Sequence, residues 1–225
     1  MTELAKTFLE HPYAVLGASS RETVKKLEER RREAALFGDE QNAERAFEAL
    51  IHPASRLAGE LRWFPGMSRE DTERWVRFAA SGAPGDTAPA FRGSSFLARF
   101  QTIRICLDKL PLDFSSDWMT AAESLFLASR WLLPAQVAEE VNQDRRAAGF
   151  AEVKSVKAVE EELDALFQEC AGQLLGKIED VPGKTDLARA ERELRQRFKN
   201  KKDSLYHTRL VMSTANKIRM MPKKA

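Results

Sequence analysis

The chain contains 225 residues, of which 43% are hydrophobic and 31% are charged, and its formal net charge is +2. This is ordinary globular composition, so it excludes a chain that is disordered throughout, and the length is sufficient to bury a core. Strong helix formers (Ala, Leu, Glu, Arg and Lys) dominate, and no long stretch alternates apolar and polar residues, so we expect an all-α fold.

Nothing in the sequence indicates secretion or membrane insertion. The first residues lack the apolar core of a signal peptide. The most apolar stretch, 125–133, is interrupted by Arg130 and is far shorter than the roughly 20 residues that span a bilayer. We therefore expect a cytoplasmic protein with no membrane partner, in which Cys106 and Cys170 are reduced, buried thiols.

Proline and glycine divide the first third of the chain into short helices. Pro12 closes the first helix, and Gly17 stops a helical turn. Ser19 or Ser20 is expected to cap the next helix, and Asp39 the one after it. The predicted helices cover residues 2–9, 21–36, 40–52, 55–64 and 68–80.

A segment rich in glycine and proline, 81–93, is the clearest linker in the chain. We place a boundary there, between a helical module over 1–80 and a helical bundle over 94–183, with a basic helix and tail over 184–225. The longer helices beyond the linker are predicted over 96–110, 116–133, 134–148, 152–178 and 185–198. In the first of these, the expected buried stripe consists of Phe96, Phe100, Ile103, Leu107 and Leu110.

Two short segments resemble the J-domain (DnaJ-like) family. The run Tyr13-Ala14-Val15-Leu16-Gly17 is similar to the Tyr-x-x-Leu-Gly that opens J-domains. Residues 46–56, which read AFEALIHPASR, are similar to the family's Ala-Tyr-x-x-Leu-x-x-Pro-x-x-Arg. The match covers roughly residues 12–63, and it implies a small J-like helical module as the first unit of the all-α fold.

The departure from the family lies between the second and third helices of the resemblance. J-domains carry His-Pro-Asp there, and this signature triggers ATP hydrolysis by a DnaK-type chaperone. Here the connection reads Leu36-Phe37-Gly38-Asp39-Glu40, which keeps an acidic residue but lacks the His-Pro pair. The resemblance therefore implies a degenerate J-domain that does not stimulate a chaperone's ATPase.

The basic helix of the resemblance offers candidate partner-binding residues. Lys26 and Arg30 are four residues apart and share a face, which the family uses to dock its chaperone. Asp39 is a further candidate because it stands near the position of the missing signature. Alternatively, Glu22, Glu29 and Glu33 pair with the two basic residues on a solvated helix.

The C-terminal segment 184–225 is strongly basic, with 13 Lys and Arg against 4 Asp and Glu. Such a charge density could neutralise nucleic-acid phosphates, or meet an acidic protein or the acidic remainder of this chain. Only one aromatic residue, Tyr206, follows Phe198, so base stacking has little support. The candidate partner-binding residues here are Arg192, Arg195, Lys199, Lys201 and Lys202.

No pattern indicates catalysis, a cofactor or a metal. The three histidines are scattered, no pair has the spacing of a zinc site, and no phosphate-binding motif follows the glycines of the linker. We expect a non-catalytic protein–protein interaction module, as a chaperone-associated or adaptor protein. The alternative is a nucleic-acid- or ribosome-associated helical protein that acts through its basic C-terminus.

Overall fold

The computed structural model describes residues 1–82, 86–109 and 116–176, together with residues 192, 196 and 214. Ten helices and no strand form this described part, which confirms the all-α prediction. In chain order the helices are α1 (Glu3–Leu9), α2 (Pro12–Val15), α3 (Val24–Phe37), α4 (Glu40–Ile51), α5 (Pro53–Leu61), α6 (Arg69–Ser81), α7 (Phe96–Lys109), α8 (Ser116–Ser129), α9 (Pro134–Ala148) and α10 (Val156–Gly176).

The start of α3 differs from the prediction. Thr23 caps it, because its hydroxyl oxygen accepts a hydrogen bond from the backbone nitrogen of Lys26 at 3.3 Å. Neither Ser19 nor Ser20 does so, and the hydroxyl of Ser20 instead donates to the carboxylate of Asp144. The competing partner lies 124 residues away, so local sequence could not reveal it.

Two other helix boundaries follow from specific contacts. Pro53 ends α4 and also occupies the first turn of α5, where its missing N–H costs nothing. Helix α10 begins at Val156 rather than at residue 152. The side-chain oxygen of Asn142 accepts a hydrogen bond from the backbone nitrogen of Val153 at 2.7 Å, and its side-chain nitrogen donates to the backbone oxygen of Val153 at 3.1 Å. These two bonds hold this segment out of the helix.

The chain divides into two compact units. The first comprises 1–110 and 134–162, and the second comprises 111–133 and 163–225. In the first unit one core joins side chains from α1 to α4 with others from α6 and α7; its largest members are Phe8, Tyr13, Leu27, Leu50, Trp63, Phe64, Trp75 and Ile105. The predicted modules 1–80 and 94–183, with the linker 81–93 between them, stay a prediction.

Helix α7 is buried on more sides than the single stripe predicted for it. Within that stripe Phe100 and Leu107 are buried and Phe96 and Ile103 are half-buried, while Leu110 lies outside the described residues. Gln101 and Arg104 are buried together with the apolar residues Leu97 and Ile105. The amide of Gln101 donates to the backbone oxygen of Leu61 at 2.9 Å, and Arg104 donates to Gln101 at 2.8 Å. These bonds satisfy polar groups that would otherwise be costly to bury.

The second unit also has buried apolar side chains in its described part. They include Leu125, Phe126, Leu132, Leu166, Phe167 and Cys170. Cys170 is buried as predicted, whereas Cys106, in the first unit, is only half-buried. Burial raises the pKa of the Cys106 thiol. The predicted helix over 185–198 lies outside the described residues, apart from Arg192 and Gln196, which are helical.

Candidate functional site

Helices α3 and α4 pack against each other and form a helical hairpin, because only Gly38 and Asp39 connect them. Asp39 caps α4 as predicted, since its carboxylate accepts a hydrogen bond from the nitrogen of Gln41 at 2.9 Å. Gly38 suits this tight connection: a Cβ at its position would lie 3.2 Å from the backbone oxygen of Ala34. The hairpin brings the basic helix and the capping aspartate of the sequence prediction into one element.

The two helices are buried very unequally. In α4, Ala43, Ala46 and Leu50 face the core of the first unit, whereas Leu27 is the only buried residue among the 14 of α3. Helix α3 is held mainly by α4: Arg31 forms an ion pair with Glu44 at 2.6 Å, and its guanidinium lies 5.6 Å from the ring centroid of Phe47. Most of α3 therefore presents its surface to solvent.

The tip of the hairpin carries two consecutive exposed apolar side chains. Leu36 is 79% exposed and Phe37 is 92% exposed, the latter being the highest value among the large hydrophobic side chains that the structure describes. Single exposed apolar residues are common on protein surfaces, but adjacent ones at a projecting end form a patch that suits a partner. Sequence reasoning missed both residues, although their position off the buried stripe and directly before Gly38 was a usable signal.

The predicted basic face of α3 is occupied by ion pairs within the chain. Lys26 lies 2.9 Å from Glu29, and its hydrogen bond lowers the pKa of that glutamate. Arg30 lies 3.3 Å from Glu22 and 3.0 Å from Glu33. This is the pairing that the sequence offered as the alternative to docking. A partner that used Lys26 and Arg30 would have to displace these carboxylates first.

The other predicted binding residues belong to the basic C-terminal segment. Arg192 is helical and exposed. Arg195, Lys199, Lys201 and Lys202 lie outside the described residues.

The arginine that completes the J-domain resemblance, Arg56, is buried and structural. It donates to Glu60 at 2.7 Å, to the backbone oxygen of Leu50 at 3.0 Å and to that of Ser20 at 3.2 Å. Its guanidinium also lies 3.5 Å from the ring centroid of Phe150. A charge only 1% exposed is tolerated because all these partners compensate for its lost hydration.

Glu60 and Asp144 extend this buried network into α9. Glu60 accepts a second charged bond from Arg145 at 2.9 Å, yet desolvation raises its pKa against the pull of Arg56 and Arg145. Asp144 accepts from Arg21 at 2.7 Å and from the nitrogen of Gly66 at 2.8 Å. The network fixes the base of the hairpin to α5 and α9.

A shallow groove lies at the junction of α4 and α5. It is lined by Arg45, Glu48, Ala49, Ile51, His52, Pro53 and Ser55, whose exposed atoms there are mostly apolar. The described residues contain no group of three or more His, Cys, Asp and Glu side chains placed to hold a metal ion. Among the described helices, none combines the length and apolar character that crossing a membrane requires.

Comparison with known proteins gives no relative for this chain: it matches no family model, no curated protein and no solved structure. The resemblance to J-domains therefore stays a prediction. The geometry of the hairpin carries the functional argument instead.

Proposed function

We propose that this protein is a non-catalytic protein-interaction module that presents the tip of its α3–α4 hairpin, Leu36 and Phe37, to a protein partner. The observation that carries the proposal is the exposure of these side chains, 79% and 92%. Fully burying one such side chain is worth about 1.5–3 kcal/mol, so the pair can supply a substantial share of the affinity of a complex. A rigid hairpin also presents them with little ordering cost.

The resemblance to J-domains suggests a chaperone-associated or adaptor role, with a DnaK-type chaperone as the partner. The tip stands where the family has its His-Pro-Asp signature, so docking there would not be coupled to ATP hydrolysis. The ion pairs of Lys26 and Arg30 favour the apolar tip over the basic face as the main contact.

The test is quantitative binding of the full-length protein to a purified DnaK-type chaperone. Replacing Phe37 with serine should weaken binding about tenfold or more, because the apolar contact is lost. The matched control is Val156→Ser, at an exposed apolar position on α10. Equal affinities for the wild-type protein and the Phe37→Ser variant would exclude the tip as the chaperone contact.

A photo-reactive amino acid at position 37 tests the tip without assuming the partner. On irradiation in cells, the photo-reactive residue at position 37 should form discrete adducts with other proteins, and the same residue at position 156 should not. Absence of adducts at position 37, or the same adducts at both positions, would contradict the proposed role of the tip.

A further inference from the structure

Within the described part of the chain, three exposed charged residues of α4 form no ion pair: Glu40, Arg45 and Glu48. Arg45 and Glu48 are three residues apart and therefore lie on one face of the helix. Other exposed Arg and Glu side chains in the first unit do pair at similar spacing, as in Arg32–Glu28 and Arg69–Glu73, whereas Arg77 donates to the backbone oxygen of Glu73. When two copies of this helix face are placed antiparallel, the positive charge of each copy lies beside the negative charge of the other. The face is therefore complementary to itself.

The same face leads into the groove at the junction of α4 and α5. Ile51 is 40% exposed there, and the exposed lining is mostly apolar. The groove thus offers apolar surface without an apolar occupant, whereas the hairpin tip offers apolar side chains without a pocket. Both features belong to one hairpin, at opposite ends of α4.

We infer that the occupant of the groove is the tip of a second copy of this chain, in a dimer whose two α4 helices pack antiparallel about a twofold axis. The inference rests on the proposed role of the tip as a docking surface, and the second copy and the chaperone then compete for the same two side chains. In this arrangement Arg45 of each copy meets Glu48 of the other. A parallel pairing would instead oppose Arg45 to Arg45 and is disfavoured.

The length of α4 makes the two kinds of contact compatible. Its 12 residues rise about 18 Å, so an antiparallel partner places the start of one helix beside the end of the other. Each tip then reaches the other copy's groove while the central charges pair. Because every contact occurs twice, the assembly closes as a dimer and does not grow into a fibre.

The test is the association state of the full chain, measured by sedimentation equilibrium over a wide range of protein concentration. The wild-type protein should form a dimer of twice 25.4 kDa, with a concentration-dependent monomer fraction. Arg45→Glu and Glu48→Arg alone should each weaken the dimer about tenfold, because like charges then face each other twice. Thermal melts of each variant verify that it is folded.

Two rescue experiments separate this geometry from simple damage. The double variant carrying both reversals should recover the dimer, since opposite charges again face each other. A mixture of the two single variants should also associate, as a heterodimer. Recovery in neither experiment, or a wild-type protein that stays monomeric at every concentration, overturns the inference.

The Phe37→Ser variant distinguishes failure of this inference from failure of the proposed function. A monomeric wild-type protein whose binding to the chaperone still depends on Phe37, or whose position 37 still crosslinks to another protein, would refute the dimer alone. If Phe37→Ser changes neither association nor chaperone binding, and position 37 gives no adducts, both proposals fail.

Discussion

The imidazole of His11 stacks on the indole of Trp63, with ring centroids 4.4 Å apart. The Nδ1 atom of His11 accepts a hydrogen bond from the nitrogen of Tyr13 at 3.3 Å, and Nε2 donates to the backbone oxygen of Gly59 at 3.0 Å. Both ring nitrogens are thus satisfied in the neutral form. Burial lowers the pKa of His11 from 6.5 to about 3. The nearby positive charge of Arg62 also lowers this pKa, whereas the hydrogen bond to Gly59 raises it.

His11 should therefore make the protein less stable as the pH falls. The unfolded chain takes up a proton near pH 6.5 but the folded chain does not, so the contribution is complete above that pH and is lost toward pH 3. The slope is about 1.4 kcal/mol per pH unit for one proton. Urea unfolding between pH 6.5 and 5, above the range of most carboxylates, should show a slope that rises toward this value as the pH falls in the wild-type protein. The slope should be reduced in His11→Gln and unchanged in the control, His52→Gln, because His52 is exposed.

Removal of Arg56 should be among the most damaging single substitutions. Arg56→Ala leaves Glu60 with only one of its two arginines and two backbone oxygens without their donor. Breaking a buried pair in this way costs about 3–5 kcal/mol. Denaturant unfolding should show this loss, whereas the control Arg32→Ala, which breaks an exposed pair, should cost at most about 1 kcal/mol. Equal effects of the two substitutions would contradict the structural role of the network.

Substitutions at the tip should affect binding without affecting the fold. Leu36→Ser and Phe37→Ser remove side chains that are already in water, so the free energy of unfolding of the monomer should change by less than about 0.5 kcal/mol. Leu27→Ala in the same helix removes a buried side chain and should cost about 2–5 kcal/mol. Chemical unfolding at low protein concentration compares them. A large loss at the tip would mean that Phe37 packs within its own chain.

The protein should not accelerate ATP hydrolysis by a DnaK-type chaperone. The expectation follows from the resemblance, since Phe37-Gly38-Asp39 stands where J-domains have His-Pro-Asp. A single-turnover assay with an intact J-domain protein as the positive control measures it. Robust stimulation would show that this chain acts without the signature.

Truncation of the basic segment 184–225 distinguishes nucleic-acid binding by this segment from its packing within the chain. If 184–225 binds a polyanion, truncation after Gly183 should abolish binding to a mixed oligonucleotide, and the intact chain should lose affinity steeply as salt rises. If 185–198 packs as a helix, the truncation should lower the melting temperature instead, because Leu187, Leu194 and Phe198 lose their burial. Melting and binding measurements on both chains decide between them.

Local patterns in the sequence predicted the helical class and the capping by Asp39, because these depend on neighbouring residues. They could not predict that Ser20 would donate a hydrogen bond to Asp144 instead of capping α3, or that His11 would be buried against Trp63. Those outcomes depend on partners that only the tertiary fold supplies. The same reason explains α7, where the backbone oxygen of Leu61 makes burial of Gln101 tolerable.

Arg56 holds the base of the hairpin at both of its strands of chain: it donates to the backbone oxygen of Leu50 at the end of α4 and to that of Ser20 just before α3. This anchor adds to the packing of Ala43 and Ala46, which holds α4 against the core along its length. The 14 residues of α3 span about 21 Å, so Phe37 lies far from the buried network at the base of the hairpin. Because Leu27 is the only buried side chain of α3, amide exchange should become faster from Leu27 toward Gly38.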